Sequence, residues 1–93
     1  MDRRMLVIHA DDNVGVVLED VARGDSCKAE GYAISAVEAI PFPHKIALTA
    51  IPAGADVVKY GQAIGYALCD IPAGALVHSH NIDCRRGREG GRS

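Results

Sequence analysis

The sequence predicts a small all-β domain, and three features carry that prediction. Its apolar runs are only four to six residues long and rich in β-branched side chains, the length and composition of strands rather than helices. Corners marked by proline and glycine interrupt these runs, and one corner phrase recurs. No stretch sustains the 3.6-residue periodicity of a long amphipathic helix. A chain of 93 residues has room for one core.

In chain order, the expected strands are residues 5–8, 14–18, 32–37, 45–49, 57–60, 64–68 and 76–80. The second is entered through Asp11-Asp12-Asn13, side chains that favour turns by bonding their own backbone. Residues 14–21 have some helical character, but the opening Val-Gly-Val-Val argues for a strand because Gly and Val are poor helix formers. The phrase Ile51-Pro52-Ala53-Gly54-Ala55 returns as Ile71-Pro72-Ala73-Gly74-Ala75, with a looser copy at Val21-Ala22-Arg23-Gly24-Asp25. Proline is expected to pre-set φ at the first turn corner, with glycine in the strained exit position. Two copies do not make a solenoid; they make a folded-over β structure whose corners share one solution. Gly61 and Gly65 read as bulges or close backbone approaches.

Composition narrows the function. Apolar residues make up 48 % of the chain, but only Tyr32, Phe42, Tyr60 and Tyr66 are aromatic, so the core is expected to be aliphatic. A domain this small buries ~60–65 % of its unfolded surface and is marginal alone. Its strand edges need covering, by another chain or by a second copy in a homo-oligomer. The net charge of −2 gives no pull towards nucleic acid or an anionic membrane. The apolar run near the N-terminus is too short for a signal peptide, and nothing approaches the ~20 residues of a membrane span. Cys27, Cys69 and Cys84 lack C-x-x-C spacing and fit reduced thiols, hence a cytoplasmic protein. Residues 84–93, with Arg85, Arg86, Arg88 and Arg92 against Glu89, are expected to be a flexible basic tail following a domain over 1–83.

Four stretches can carry chemistry. On an extended strand, His78 and His80 of His78-Ser79-His80-Asn81 share one face at roughly 6–7 Å, close enough to converge on an ion or substrate. Asn81 can donate and accept together, which suits a hydroxyl or carboxylate. His9 and Asp12, at the mouth of the Asp11-Asp12-Asn13 turn, add oxygen and nitrogen donors suited to iron(II) or manganese. His44-Lys45 and Lys59-Tyr60 offer cations to an acid group. Each has a plainer reading: surface histidines, an Asx turn, a solvated loop, a strand end. Nucleophile elbows and phosphate-binding glycine loops are absent.

The phrases His9-Ala10-Asp11-Asp12-Asn13-Val14-Gly15-Val16, His44-Lys45-Ile46-Ala47-Leu48, Val58-Lys59-Tyr60-Gly61-Gln62-Ala63-Ile64-Gly65-Tyr66-Ala67 and Val77-His78-Ser79-His80-Asn81 resemble the SAF-type domain of altronate and galactarate dehydratases. The chain is also similar to the small subunit of sulfolactate sulfo-lyase. The resemblance implies a β-clip fold and the role of small subunit in a hydro-lyase acting on a sugar acid. It implies a divalent metal, iron(II) or manganese, held mainly by a large catalytic subunit that a second polypeptide is expected to supply. By the same resemblance His78, His80, Asn81, Lys59, Lys45 and His44 would bind substrate, and His9, Asp12, His78 and His80 would face metal. One departure stands out: Pro43 takes the place where the family usually has Gly, removing an N–H. The alternatives are a non-catalytic module that binds a carbohydrate acid or assembles subunits, and the small subunit of a sulfo-lyase.

Overall fold

In the computed structural model, which describes residues 1–84, the chain folds into nine strands and, among the described residues, no helix. They are β1 (Asp2–Leu6), β2 (Val14–Val17), β3 (Ser26–Ala29), β4 (Tyr32–Ser35), β5 (Lys45–Ala47), β6 (Asp56–Lys59), β7 (Gln62–Ala67), β8 (Leu76–Val77) and β9 (Ile82–Asp83). One sheet has the order β4-β3-β1-β2-β5-β8 and the other β6-β7-β9. Only β1 and β3 run parallel. This is the small, curled all-β domain that the sequence predicts. Among the described residues no helix is long and apolar enough to cross a membrane. The arginine-rich tail expected from position 84 lies, beyond Cys84, outside the described residues.

Several strands differ from expectation. β1 starts at Asp2 and ends before Ile8, which is exposed. The polar β3 and the two-residue β9 are set by pairing with their neighbours rather than by apolar character. The strand expected over 76–80 stops at Val77. Beyond it, the Asn81 side chain accepts from the His78 N–H at 2.9 Å and donates to the Leu76 carbonyl at 2.8 Å. The His78 carbonyl accepts from the N–H groups of Asn81 and Ile82. Backbone groups that a strand would offer to a ladder are thus closed into a turn.

Four corners share one closing hydrogen bond. The carbonyls of Ala22, Pro41, Pro52 and Pro72 accept from the N–H three residues on, at Asp25, His44, Ala55 and Ala75. Gly24, Gly54 and Gly74 occupy the third place with φ of 90°, 86° and 88°, the conformation of a type II turn that favours glycine. Proline therefore leads the turn and closes it through its carbonyl, one place earlier than expected. In the fourth corner Pro43, after a cis bond, takes the glycine's place. The corners join in pairs through two isolated bridges, Val21 with Ile40 and Ile51 with Ile71. Asp20 and Asp70 cap the opposite corners by accepting from Phe42 N–H and Ala53 N–H, both at 2.9 Å.

These pairs expose a duplication. Residues 21–44 and 51–75 each run corner, hairpin, corner, with β3–β4 in the first unit and β6–β7 in the second. Counting from the hairpin tips, Ala29 pairs Tyr32 as Lys59 pairs Gln62, and Lys28 pairs Ala33 as Val58 pairs Ala63. The second unit then inserts one residue: Val57 pairs Gly65, leaving Ile64 as a bulge. Each unit has its own aliphatic core. Val17, Val21, Cys27, Ile40 and Ile46 centre the first, and Val14, Ala47, Ile51, Val57, Ile71 and Val77 the second. Consecutive residues Ile46 and Ala47 face opposite cores, so β5 is the wall between them. The aliphatic core expected from composition is what forms, with Met5 and Cys27 added.

Candidate functional site

The antiparallel pairing of β5 with β8 sets Lys45 opposite Val77 and Ile46 opposite Leu76. One step further along this register, His44 lies opposite His78. Their ring centroids are 4.5 Å apart at a 59° tilt. The His80 ring stands 6.5 Å from that of His78, so the two histidines do converge. The tight turn over 78–81 brings them together, not the strand alternation expected. His44 Nδ1 is 2.9 Å from the Pro41 carbonyl. A carbonyl only accepts, so Nδ1 holds the proton and Nε2 keeps the lone pair of the neutral ring.

Beside the histidines an open cleft of about 470 Å³ is lined by Lys45, Ile64, His78, Ser79, Ile82 and Asp83, among others. Lys45 is half-buried. Burial, and then the charge of Lys59, hold its ammonium below the usual lysine range. The ion pairs among the described residues involve the N-terminus, Arg3, Arg4, His9 and Lys28, and neither Lys45 nor Lys59. Lys59 Nζ lies 4.9 Å from the centre of the Tyr60 ring, a cation–π contact. Asp83 shares the cleft wall. Its carboxylate accepts from the Cys84 N–H at 2.7 Å and lies 3.4 Å from the Tyr66 hydroxyl.

Other expected site residues are drawn into the scaffold. Asn81 is buried, and both ends of its amide serve the 78–81 turn, so it positions His78 and His80 rather than facing a substrate. Asp12 is buried as well. Its Oδ2 accepts from the N–H groups of Ile8 and His9, and its Oδ1 from Gly61 N–H at 2.7 Å. Burial pushes this carboxyl up, but the N–H bonds from Gly61, His9, Tyr60 and Ile8 outweigh it and hold it below the ordinary value. His9 accepts from the Asp11 N–H through Nδ1, and its ring packs on Gly61, where a Cβ would come within 2.8 Å. His9 and Asp12 thus grip the tip of the β6–β7 hairpin.

The set His9, Asp12, His78 and His80 does not assemble a metal centre. Both Asp12 oxygens are occupied by N–H donors. Among the described residues no three His, Cys, Asp or Glu side chains are grouped to hold an ion.

Sequence reasoning missed Ile64 and Asp83 in the cleft, and the meeting of His44 with His78. A signal for Ile64 existed. The spacing between matching positions is thirty from Val21, Gly24 and Gly31 to Ile51, Gly54 and Gly61, then thirty-one from Ala36 and Ile40 to Ala67 and Ile71. The extra residue lies between.

Fold and cleft together define a class: a duplicated β-clip module with an open cleft lined by Lys45, His78 and Asp83 and flanked by a group of three histidines. Over residues 3–85 the chain matches the family described as the altronate/galactarate dehydratase SAF domain, and it belongs to that family. It is 49 % identical over 74 residues to altronate dehydratase of Escherichia coli (strain K12), a match covering 80 % of this chain and 15 % of that protein. To galactarate dehydratase (L-threo-forming) of the same organism it is 35 % identical over 71 residues, covering 75 % and 13 %. To (2R)-sulfolactate sulfo-lyase subunit alpha of Chromohalobacter salexigens it is 34 % identical over 90 residues, covering 86 % and 94 %. The chain therefore spans a small part of the dehydratases and nearly all of the sulfo-lyase subunit.

Proposed function

We propose that this chain is the small subunit of a metal-dependent sugar-acid dehydratase of the altronate type, inactive alone and completed by a large catalytic subunit in the cytoplasm. The observation that carries the reading is an open cleft lined by Lys45 and His78, with the His44 and His80 rings gathered around that of His78, on a domain whose relatives are dehydratases and a sulfo-lyase. Cationic and imidazole donors suit the carboxylate and hydroxyls of a sugar acid. Dehydration removes a proton beside the carboxylate and expels a hydroxyl, which calls for a positioned base. The large subunit is assigned that base and the divalent ion, iron(II) or manganese, because the residues described here form no ion-holding group. The small subunit's share is to bind and orient the acid.

The test is complementation in trans. Escherichia coli altronate dehydratase lacking its matching segment, mixed with this chain, altronate and iron(II), is expected to turn over only when both are present. Full turnover without this chain would remove its role. His78→Ala with His80→Ala separates a site from an assembly module: lost turnover with intact assembly supports the site, and lost assembly supports the module. A second reading, the small subunit of a sulfolactate sulfo-lyase, is favoured by the 94 % coverage of subunit alpha. Release of sulfite from sulfolactate in the matching mixture would select it.

A further inference from the structure

The β1–β2 hairpin is apolar on both faces, and only one of them is fully covered. Met5-Leu6-Val7-Ile8 and Val14-Gly15-Val16-Val17-Leu18 are unbroken apolar runs. That is the pattern of strands buried on both sides, whereas a strand with one face in water alternates apolar with polar. The β3–β4 hairpin does alternate: Cys27 and Ile34 join the first core, while Lys28, Ala33 and Ser35 are exposed. In β1 and β2, Met5, Val7 and Val17 pack into the first core, and the residues between them lie on the opposite face. There the register sets Leu6, Val16, Lys45 and Val77 in one row. Exposure climbs along that row from 0 % at Val77, inside the second core, through half-buried Lys45 and Val16 to 39 % at Leu6. Leu18, two places from Val16 and so on the same face, is 37 % exposed. Leu6, Val16 and Leu18 thus form an aliphatic patch that adjoins the cleft at Lys45. Its far border is polar. Arg4, and Lys28 opposite it, pair with Glu19 at 3.5 Å and Asp2 at 3.4 Å. An apolar centre with a polar rim is the anatomy of a protein–protein interface.

Building on the dehydratase reading, we infer that the Leu6–Val16–Leu18 patch is the seat of the large catalytic subunit, which docks an aliphatic surface there and so forms the missing wall of the cleft. Continuity with the cleft selects this occupant. The cleft is open, and the described residues hold no group of ion ligands. In that reading the base and the ion therefore come from a body seated beside the cleft, and the patch is the apolar surface that runs on from Lys45. A second copy of this chain on the patch would bring neither. In altronate dehydratase of Escherichia coli the matching segment is 15 % of the protein, so a module of this kind is there one part of a much larger body.

The probe is Escherichia coli altronate dehydratase lacking its matching segment, with its affinity for this chain read by calorimetry. Leu6→Glu and Leu18→Glu each set a carboxylate on the patch and are expected to weaken the complex by about tenfold or more. Val37→Glu, at an apolar residue of the first unit that is 46 % exposed, is expected to leave it unchanged. Hydroxyl-radical footprinting of the unsubstituted chain gives the same answer should a variant fold poorly: labelling of Leu6 and Leu18 is expected to fall severalfold in the complex, and that of Val37 to stay. Where the shortened partner does not bind, the footprint is taken on full-length altronate dehydratase whose matching segment has been replaced by this chain. Equal affinity for all three variants, or Leu6 and Leu18 labelled in the full-length chimera as fast as in the isolated chain, would overturn the seat. So would a homodimer of the isolated chain that Leu6→Glu dissolves, which assigns the patch to a second copy. The two readings fail separately. Patch-dependent binding without altronate turnover removes the dehydratase role and leaves the docking surface. Turnover that neither Leu6→Glu nor Leu18→Glu alters does the reverse.

Discussion

The two corner–hairpin–corner units, residues 21–44 and 51–75, have the same plan and opposite fates. In the first, the Glu30-Gly31 tip is open, with no atom within 4 Å of where a Gly31 Cβ would stand, and β4 ends the larger sheet. In the second, the Tyr60-Gly61 tip has positive φ at both residues, 56° and 78°, the pattern of a type I′ turn. It is held by Asp12 and packed on His9. Its β7 carries the Ile64 bulge and accepts β9 on its outer edge. The plain unit supplies frame, and the elaborated one walls the cleft. A duplicated fold can keep one copy for stability while the other takes on the irregularities that a site needs.

The largest test of this difference is at Gly65. The Asp83 carbonyl lies where its Cβ would be, so Gly65→Val is expected to push β9 and the 78–81 turn off β7, at about 3 kcal/mol or more. The matching change in the first unit, Ile34→Val, is expected to cost about 0.5–1 kcal/mol. Urea unfolding compares them. A midpoint for Gly65→Val equal to that of the wild type would mean that β9 does not dock as described.

Asp12→Asn comes next. It turns an amide NH2 towards N–H donors and loses the charge-assisted bonds, for about 2–3 kcal/mol at neutral pH. Because the folded Asp12 carboxyl lies below its ordinary value of 3.8, on acidification the unfolded chain takes up the proton first. Its contribution is present above about pH 4 and is lost as pH falls through the depressed folded value. The gap between wild type and variant should therefore be widest at pH 7 and narrow below pH 4. A pH-independent gap would refute the hydrogen-bonded carboxylate.

Deleting Ile64 restores the register of the first unit. The fold is expected to survive with a loss near 1 kcal/mol, the scale of an ordinary single change, while altronate turnover in the complementation mixture falls about tenfold. Retained turnover would show that the bulge does not shape the cleft. The smallest effect belongs to Lys45, which follows its corner as Leu76 follows the corner at 71–75. Lys45→Met should raise Tm by about 2–4 °C, because an unpaired, half-buried charge is removed; a fall in Tm would show that the ammonium has a partner.

Much of the frame could be read from the chain. The repeated Ile-Pro-Ala-Gly-Ala phrase marks real corners, since proline and glycine restrict the backbone locally, and the β-branched runs mark most strands. The duplication was hidden because the copies share only Gly24/Gly54, Gly31/Gly61, Ala33/Ala63, Ala36/Ala67, Ile40/Ile71 and Pro41/Pro72, with the inserted Ile64 breaking their spacing, and the core tolerates exchange among aliphatic residues. β3 escaped notice because Ser26-Cys27-Lys28-Ala29 owes its extended form to partners far along the chain. Within the site, His78 and His80 stood out by their spacing. That His44 joins them depends on the β5–β8 register, a long-range fact that no local pattern carries. Asn81 and Asp12 looked like ligands because the same polar atoms that bind a substrate also close turns.

The facing positions 44 and 78 sit just outside strands of three and two residues, on turns closed by backbone atoms and by Asn81. None of those closing bonds uses an imidazole as a structural strut except the tether from His44 to Pro41. Side chains there can be exchanged while both aliphatic cores stay as they are. The module is thus a socket with a replaceable lining, and natural variation in acid chemistry on this frame should concentrate at its two lips.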